Sequence, residues 1–203
     1  AAAGQSQKVI DRFSTTQLPD AKSSASLRAL VAAALFAKGQ TKAGLEAADA
    51  ALKFDAKNIA ARMLRSRILA SQGSYDEALR WVDEVIAEEP KRLEALHLKG
   101  EIVWLKTSDA KAALPVFRQA LAIDPKYPPA HRSIIRIQLH QRDLPGFRAQ
   151  VAALKQASPE AIDVALFETQ AALLEGDLKK AGERVQALMK LSPDHPVIRQ
   201  LAG

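Results

Sequence analysis

The prolines of this chain keep a period. Pro90, Pro125, Pro159 and Pro193 are separated by 35, 34 and 34 residues, and Ala56 occupies the same slot 34 residues before Pro90. Gly39 and Gly73 lie 34 apart, with Gly176 in register, and the series Ala51, Val85, Ala120, Leu154 and Leu188 steps by 34, 35, 34 and 34. The one extra residue falls in "LKTSDAKAA", where Thr107 and Ser108 are expected to lengthen a turn written elsewhere as "SQGSY" or "LEGDL". A chain that returns to one register five times does not build a single central core. It stacks copies of a small unit, each covering the apolar face its neighbour leaves open.

The unit reads as two helices. Hydrophobic residues make up 48% of the chain but aromatics only 5%, and the apolar mass is chiefly Ala and Leu, which suits helices packed closely through small side chains. Alternating runs of Val, Ile and Thr are missing, so strands have no support. Glycine at the middle of each unit ends the first helix by taking a positive φ cheaply. Small residues such as Ala78, Ala113 and Ala181 let the second helix approach the first. Proline after Asp, Glu or Ser stops the second helix and starts the next unit.

A 34-residue period with this punctuation resembles the tetratricopeptide repeat (TPR). Gly73, Tyr75, Ala78, Val85 and Pro90 fill its signature slots in one repeat, Gly100, Ala113, Phe117, Ala120 and Pro125 in the next, and Gly176, Ala181 and Pro193 in the last. The resemblance implies an all-α fold, a right-handed α-solenoid of antiparallel helix pairs whose first helices (A) line a concave surface. Five repeats are expected at 25–58, 59–92, 93–127, 128–161 and 162–195. Residues 1–24 read as a partial repeat, a helix B after a turn at Gly4 followed by the linker "STTQLPDAKSS", and 196–203 as the start of a truncated helix. The fourth repeat departs from the pattern: Arg142 replaces the turn glycine and Phe147 takes the small slot of helix B, so looser or altered packing is expected there. In the first repeat Gly44 holds the small slot.

Residues that carry chemistry are sparse. The four histidines, His97, His131, His140 and His195, form no HExxH pair, and the first three read as surface or groove-lining side chains. Carboxylate pairs such as Asp83/Glu84 and Glu88/Glu89 read as solvated faces of helix B rather than an acid/base pair. No phosphate-binding glycine loop and no Ser–His–Asp set is present. The expectation is a non-enzyme without cofactor or metal. With no cysteine, disulfides and thiolate metal sites are excluded, which fits cytoplasm or periplasm. The longest apolar run, "LVAAALFA", falls far short of the ~20 residues of a membrane span. The absence of an initiator Met, a leader and capping helices points to a piece of a longer protein.

If helix A lines the groove, the second, fifth, ninth and twelfth repeat positions project into it. These name Met63, Arg67, His97, Glu101, Trp104, Arg132, Arg136, Leu166 and Gln170 as candidate partner-binding residues. Arg67, Arg132 and Arg136 would form a basic lining interrupted by Glu101, suited to carboxylate or phosphate, with Trp104 as an apolar anchor. Trp81 and Tyr75 read as packing residues of helix B. A net charge of +6 and a pI of about 9.6 permit acidic partners, although basic and acidic residues are interspersed. The expected partner is a protein or peptide, possible acidic character included. The alternative is direct binding of an anionic polymer, polysaccharide or nucleic acid, through the basic groove, with nucleic acid disfavoured by the few aromatics. The Lys/Asn clamp for chaperone C-termini is not matched, because its slots carry Ala29, Ala33, Met63 and Arg67.

The stretches "GQSQKVIDRF", "LPD", "LHLKGEIVW", "PAHRSIIRIQLHQRD" and "LMKLSPDHPVIRQLAG" resemble the TPR-repeat lipoproteins of the PEP-CTERM/exosortase system, the PrsT family. That resemblance implies a periplasmic protein anchored to the outer membrane by a lipid outside this segment, acting as a scaffold in exopolysaccharide synthesis and export.

Overall fold

The computed structural model describes residues 2–14, 16, 18–159 and 161–191. Eleven helices occupy the described residues: α1 (Ala2–Phe13), α2 (Ala21–Ala37), α3 (Thr41–Phe54), α4 (Ile59–Ser71), α5 (Tyr75–Glu88), α6 (Leu93–Thr107), α7 (Ala110–Ile123), α8 (Pro128–His140), α9 (Leu144–Ala157), α10 (Ile162–Leu174) and α11 (Leu178–Leu191). No strand occurs among these residues. Even-numbered helices from α2 onward are the A helices, and odd-numbered ones from α3 are their B partners. The expected restart of a truncated helix at 196–203, together with Pro193 and His195, lies outside the described residues.

The chain divides into two compact units, Ala1–Val116 and Phe117–Gly203. In the first, α2 packs on α3 and α4 on α5, while α2 lies against α4 and α4 against α6, so successive A helices sit side by side. Its core is built mostly from small side chains: Ala32, Ala48, Leu64 and Ile68 form one cluster, and Ala78, Val82, Val85, Ala95, Leu98 and Ile102 belong to another. In the second unit α8 packs on α9, α9 on α10 and α10 on α11. Each unit therefore has the antiparallel-pair arrangement of an α-solenoid, stacked in chain order.

At the N-terminus the structure departs from the reading of the sequence. Gly4 lies inside α1, not in a turn, and α2 begins at Ala21, within the stretch taken as linker. Asp20 makes this start. Its carboxylate accepts from the Ser23 amide at 2.7 Å, a bond that also holds its pKa below the ordinary carboxylate value. Asn58 and Asp143 cap α4 and α9 in the same way, accepting from Ala61 and Gly146 at 3.0 Å each. In the inter-repeat turns, Asp55 and Asp124 accept from the Lys57 and Lys126 amides at 3.0 and 2.9 Å. The "D-A/P-K" triplets are thus Asx turns that reverse the chain before the next A helix.

The turns inside the repeats share a left-handed residue two places before the B helix. Gly39, Gly73 and Gly176 have φ of 76°, 80° and 74°, and the two slots without glycine are also left-handed: Ser108 at 50° and Arg142 at 57°. The extra residue of the third repeat is absorbed by its A helix rather than by the turn. α6 has 15 residues where α4, α8 and α10 have 13, and Thr107 is its last. Holding an L-residue left-handed costs roughly 1–2 kcal/mol, partly offset because glycine would have more unfolded-state entropy to lose. Arg142→Gly is therefore expected to stabilise the chain by about 0.5–1 kcal/mol, read as a rise in urea midpoint. An unchanged midpoint would mean that the Arg142 side chain makes a compensating interaction.

The small slots set how near the paired helices come. A Cβ on Gly44 would meet the Ala32 carbonyl oxygen and the Phe36 nitrogen at 3.3 Å, so α2 and α3 touch backbone to backbone. In the next pair the buried Ser66 hydroxyl donates to the Ala78 carbonyl at 2.7 Å. The fourth pair is altered rather than loosened. Ile135, which stands where Ser66 and Gly100 stand in earlier repeats, and Phe147 are both fully buried in one cluster with Val151, Leu154 and Val164. Phe147 meets Phe167 of α10 edge-on, with ring centroids 6.4 Å apart.

A third slot ties two of the A helices, α4 and α8, to the turn before them. Arg62 on α4 is buried, donating from Nε to the Ala56 carbonyl at 2.8 Å and from Nη1 to Glu88 at 3.0 Å. His131 is its counterpart on α8. Its Nε2 lies 2.9 Å from the Pro125 carbonyl, which makes it the protonated nitrogen, and Nδ1 faces the Gln150 amide. In the repeat between them Leu96 fills the slot with hydrocarbon, 1% exposed.

Candidate functional site

The face that presents the candidate partner-binding residues is that of the A helices. In the first unit Met63 is half-buried against the core that contains Ala78 and Val82, so its side chain serves packing as well as the surface. Arg67, one helical turn further along α4, is exposed and has no ion-pair partner among the described residues. On α6, His97 and Glu101 face each other at 3.7 Å and Trp104 is half-buried. The acidic interruption expected at Glu101 is thus shared with His97.

In the second unit the basic lining is thinner than the sequence suggests. The half-buried Arg132 guanidinium pairs with the Asp163 carboxylate of α10, which offsets its charge. Arg136, one turn on, is exposed and without an ion-pair partner among the described residues. Leu166 and Gln170 are half-buried on α10. Arg67 and Arg136 hold the same slot two repeats apart and remain as open cations, one in each unit.

The histidine reading needs correction at one position. His131 is buried at 4% exposure beneath an inter-repeat turn and is not a surface or groove residue. His140 ends α8 near the surface, and His97 is half-buried. Among the described residues no group of three or more His, Cys, Asp or Glu is placed to hold a metal ion, and no helix is long and apolar enough to cross a membrane.

Two charged constellations were missed. Arg65 of α4 pairs with Asp49 of α3 and reaches Glu77 of α5 at 3.5 Å, while its guanidinium lies 4.8 Å from the centre of the Trp81 ring. This stack joins the B helices of two successive repeats through the A helix between them, and it accounts for Trp81, which also packs on the core. The other lies between α9, α10 and α11. There Glu168 accepts from Lys155 at 3.0 Å and from Arg184, and Arg148 pairs with Glu175.

Glu168 offers a pH test. Burial pushes its pKa up, but the hydrogen bonds and charges of Lys155 and Arg184 outweigh this and leave it below the ordinary 4.5. A carboxyl depressed on folding adds stability that is complete above its unfolded value and fades as the pH falls through the folded one. Glu168→Gln is accordingly expected to lower stability at pH 7 and to make it less steeply dependent on pH below about 4.5, measured by urea melts across that range.

Comparison with known proteins agrees with this architecture. The tetratricopeptide-repeat family model matches residues 35–102 and 105–171. Among solved structures, TTC0263, a TPR protein of Thermus thermophilus, superposes with a TM-score of 0.71 at 18% identity, over 88% of this chain and 97% of that one. PilF of Pseudomonas aeruginosa gives 0.64 at 18% identity, over 87% and 80%. YrrB, a TPR protein described as having an unusual peptide-binding site, gives 0.55 at 18% identity, over 98% and 97%. No curated protein matches the sequence. Family match, left-handed turns in register and stacked helix pairs agree, and the chain belongs to the tetratricopeptide-repeat family.

Proposed function

We propose that this chain is a TPR interaction scaffold that holds a protein partner along the exposed face of its A helices, without catalysis of its own. The observation that carries this reading is the pair of open cations, Arg67 and Arg136, in one slot of two A helices. Several other charges on the A helices are paired within the protein, as at Arg132 with Asp163 and Lys99 with Asp83. Unspent arginines on rigid helices favour carboxylate-bearing segments, and little ordering entropy is lost on the protein side. The resemblance to exosortase-system lipoproteins extends the proposal: the chain is part of a periplasmic, lipid-anchored envelope protein that supports exopolysaccharide synthesis and export.

The test is affinity capture from envelope extract with wild type and Arg67→Glu/Arg136→Glu. Arg132 stays unchanged, because reversing it would set two carboxylates together. Loss of a captured protein from the variant, at unchanged helicity, supports the reading; retention sinks it. Capture of polysaccharide alone, released by salt, would replace the protein partner by an anionic polymer.

A further inference from the structure

Beyond the A-helix face, the second unit carries a built cleft of ≈ 280 Å³ between α9, α10 and α11. Three stripes converge on it: Arg148, Val151, Ala152 and Lys155 from α9; Glu168, Ala171 and Ala172 from α10, with Glu175 as its C-terminal cap; Lys180 and Arg184 from α11. The distribution is ordered. Both acids come from α10 and its C-terminal cap, and all four bases stand on the flanking helices.

Each acid is already engaged, Glu168 with Lys155 and Arg184, and Glu175 with Arg148. Four bases against two acids leave the cleft with a surplus of two positive charges. Lys180 has no acidic partner among the described residues, and Arg148 and Lys155 keep more than half of their side-chain surface exposed. Beneath the charges the lining is aliphatic: Val151 and Ala172 are buried, and Ala152 and Ala171 keep exposed surface. The side chains at the base are short, so the space left open has the size of a single aliphatic side chain rather than of a folded domain.

From this geometry we infer that the cleft docks an acidic segment of a partner protein, its aliphatic side chain seated against Ala152 and Ala171 and its flanking carboxylates on Lys180, Arg148 and Lys155. The specificity is dual. The aliphatic side chain gains from leaving water, and the carboxylates select for acidic flanks, mainly through the rate of encounter. Because the cleft is lined from α9, α10 and α11, and Arg67 and Arg136 stand on α4 and α8, it is a second contact, whichever partner those arginines hold.

Fluorescence anisotropy of the full chain tests this with a fluorescein-labelled peptide in which one leucine stands between paired aspartates. The comparison probes are the same peptide with glycine for leucine, and alginate. The variants are Lys180→Glu, Ala152→Trp, which fills the cleft from an exposed position, and Arg67→Glu/Arg136→Glu, each checked for unchanged Tm. The leucine peptide is expected to bind wild type, to weaken about tenfold in both cleft variants, and to be unaffected by the A-helix variant. Equal binding of the glycine peptide, insensitivity to Ala152→Trp, or competition by alginate as strong as by unlabelled leucine peptide would reduce the cleft to unspecific attraction and overturn the inference. So would no binding by wild type. Loss of peptide only in Arg67→Glu/Arg136→Glu would reject the cleft while leaving the A-helix reading intact.

Discussion

Phe147→Ala is expected to remove about 3–5 kcal/mol of stability, the range for truncating a buried aromatic. Phe147 is completely buried, packs among Ile135, Val151, Leu154 and Val164, and meets Phe167 edge-on. The neighbours are already packed, since the opposing slot carries Ile135 in the same buried cluster. Urea melts of the full chain measure the total, and hydrogen exchange should place the loss in α8, α9 and α10. Phe147→Leu should cost much less, about 1–1.5 kcal/mol, since it keeps most of the volume. The converse substitution, Ala78→Phe, is expected to destabilise by overpacking, because Ser66 holds the Ala78 carbonyl at 2.7 Å. A loss below about 1 kcal/mol for Phe147→Ala would show that α8 and α9 can close to the separation of the other pairs.

Arg62→Ala is expected to cost about 2–4 kcal/mol through two separate losses. The aliphatic stem leaves a cavity beneath the turn, and the Ala56 carbonyl loses the guanidinium that donates to it at 2.8 Å. Glu88 contributes little to the penalty. Its side chain keeps 40% of its surface, so water can take over when the arginine is gone. The third repeat supplies the control, since Leu96 fills the equivalent slot with hydrocarbon alone. Arg62→Leu should therefore recover part of the loss, and Glu88→Gln should cost under about 1 kcal/mol. Should Glu88→Gln prove as damaging as Arg62→Ala, the ion pair and not the turn carbonyl would be what the arginine serves.

The lattice of turns and small slots was legible in the sequence because a repeat writes the same local rule several times. Gly39, Gly73 and Gly176 mark their own φ, and Arg142, in register with them, inherits a left-handed backbone that its own identity would never suggest. Charge partners were not legible. Arg132 meets Asp163, 31 residues on in the next repeat, and Arg65 meets Asp49 behind it and Glu77 ahead. Such pairs depend on which helix faces adjoin across repeats, and the period alone gives no angle between those faces. The ion pair of Arg132 was hidden for that reason, and the reading of His131 as a groove residue failed because a buried turn carbonyl supplies its partner. The cleft between α9 and α11 escaped because Arg148, Lys155, Lys180 and Arg184 occupy positions that vary between repeats, and alignment on the recurring residues passes over them.

The matched sizes at the paired slots also bear on how such a chain can be inherited. Gene segments encoding repeats can be duplicated or exchanged, and each exchange has two places to join: the turn between repeats or the turn within one. A join within a repeat would set Ile135 opposite an alanine such as Ala78, leaving a void, or Phe147 opposite Ser66, where a ring has no room. A join between repeats moves both members of the pair together. The helix pair is thus the smallest piece of this protein that can be shuffled without repair, and the fourth pair can change its place in the chain only as a whole.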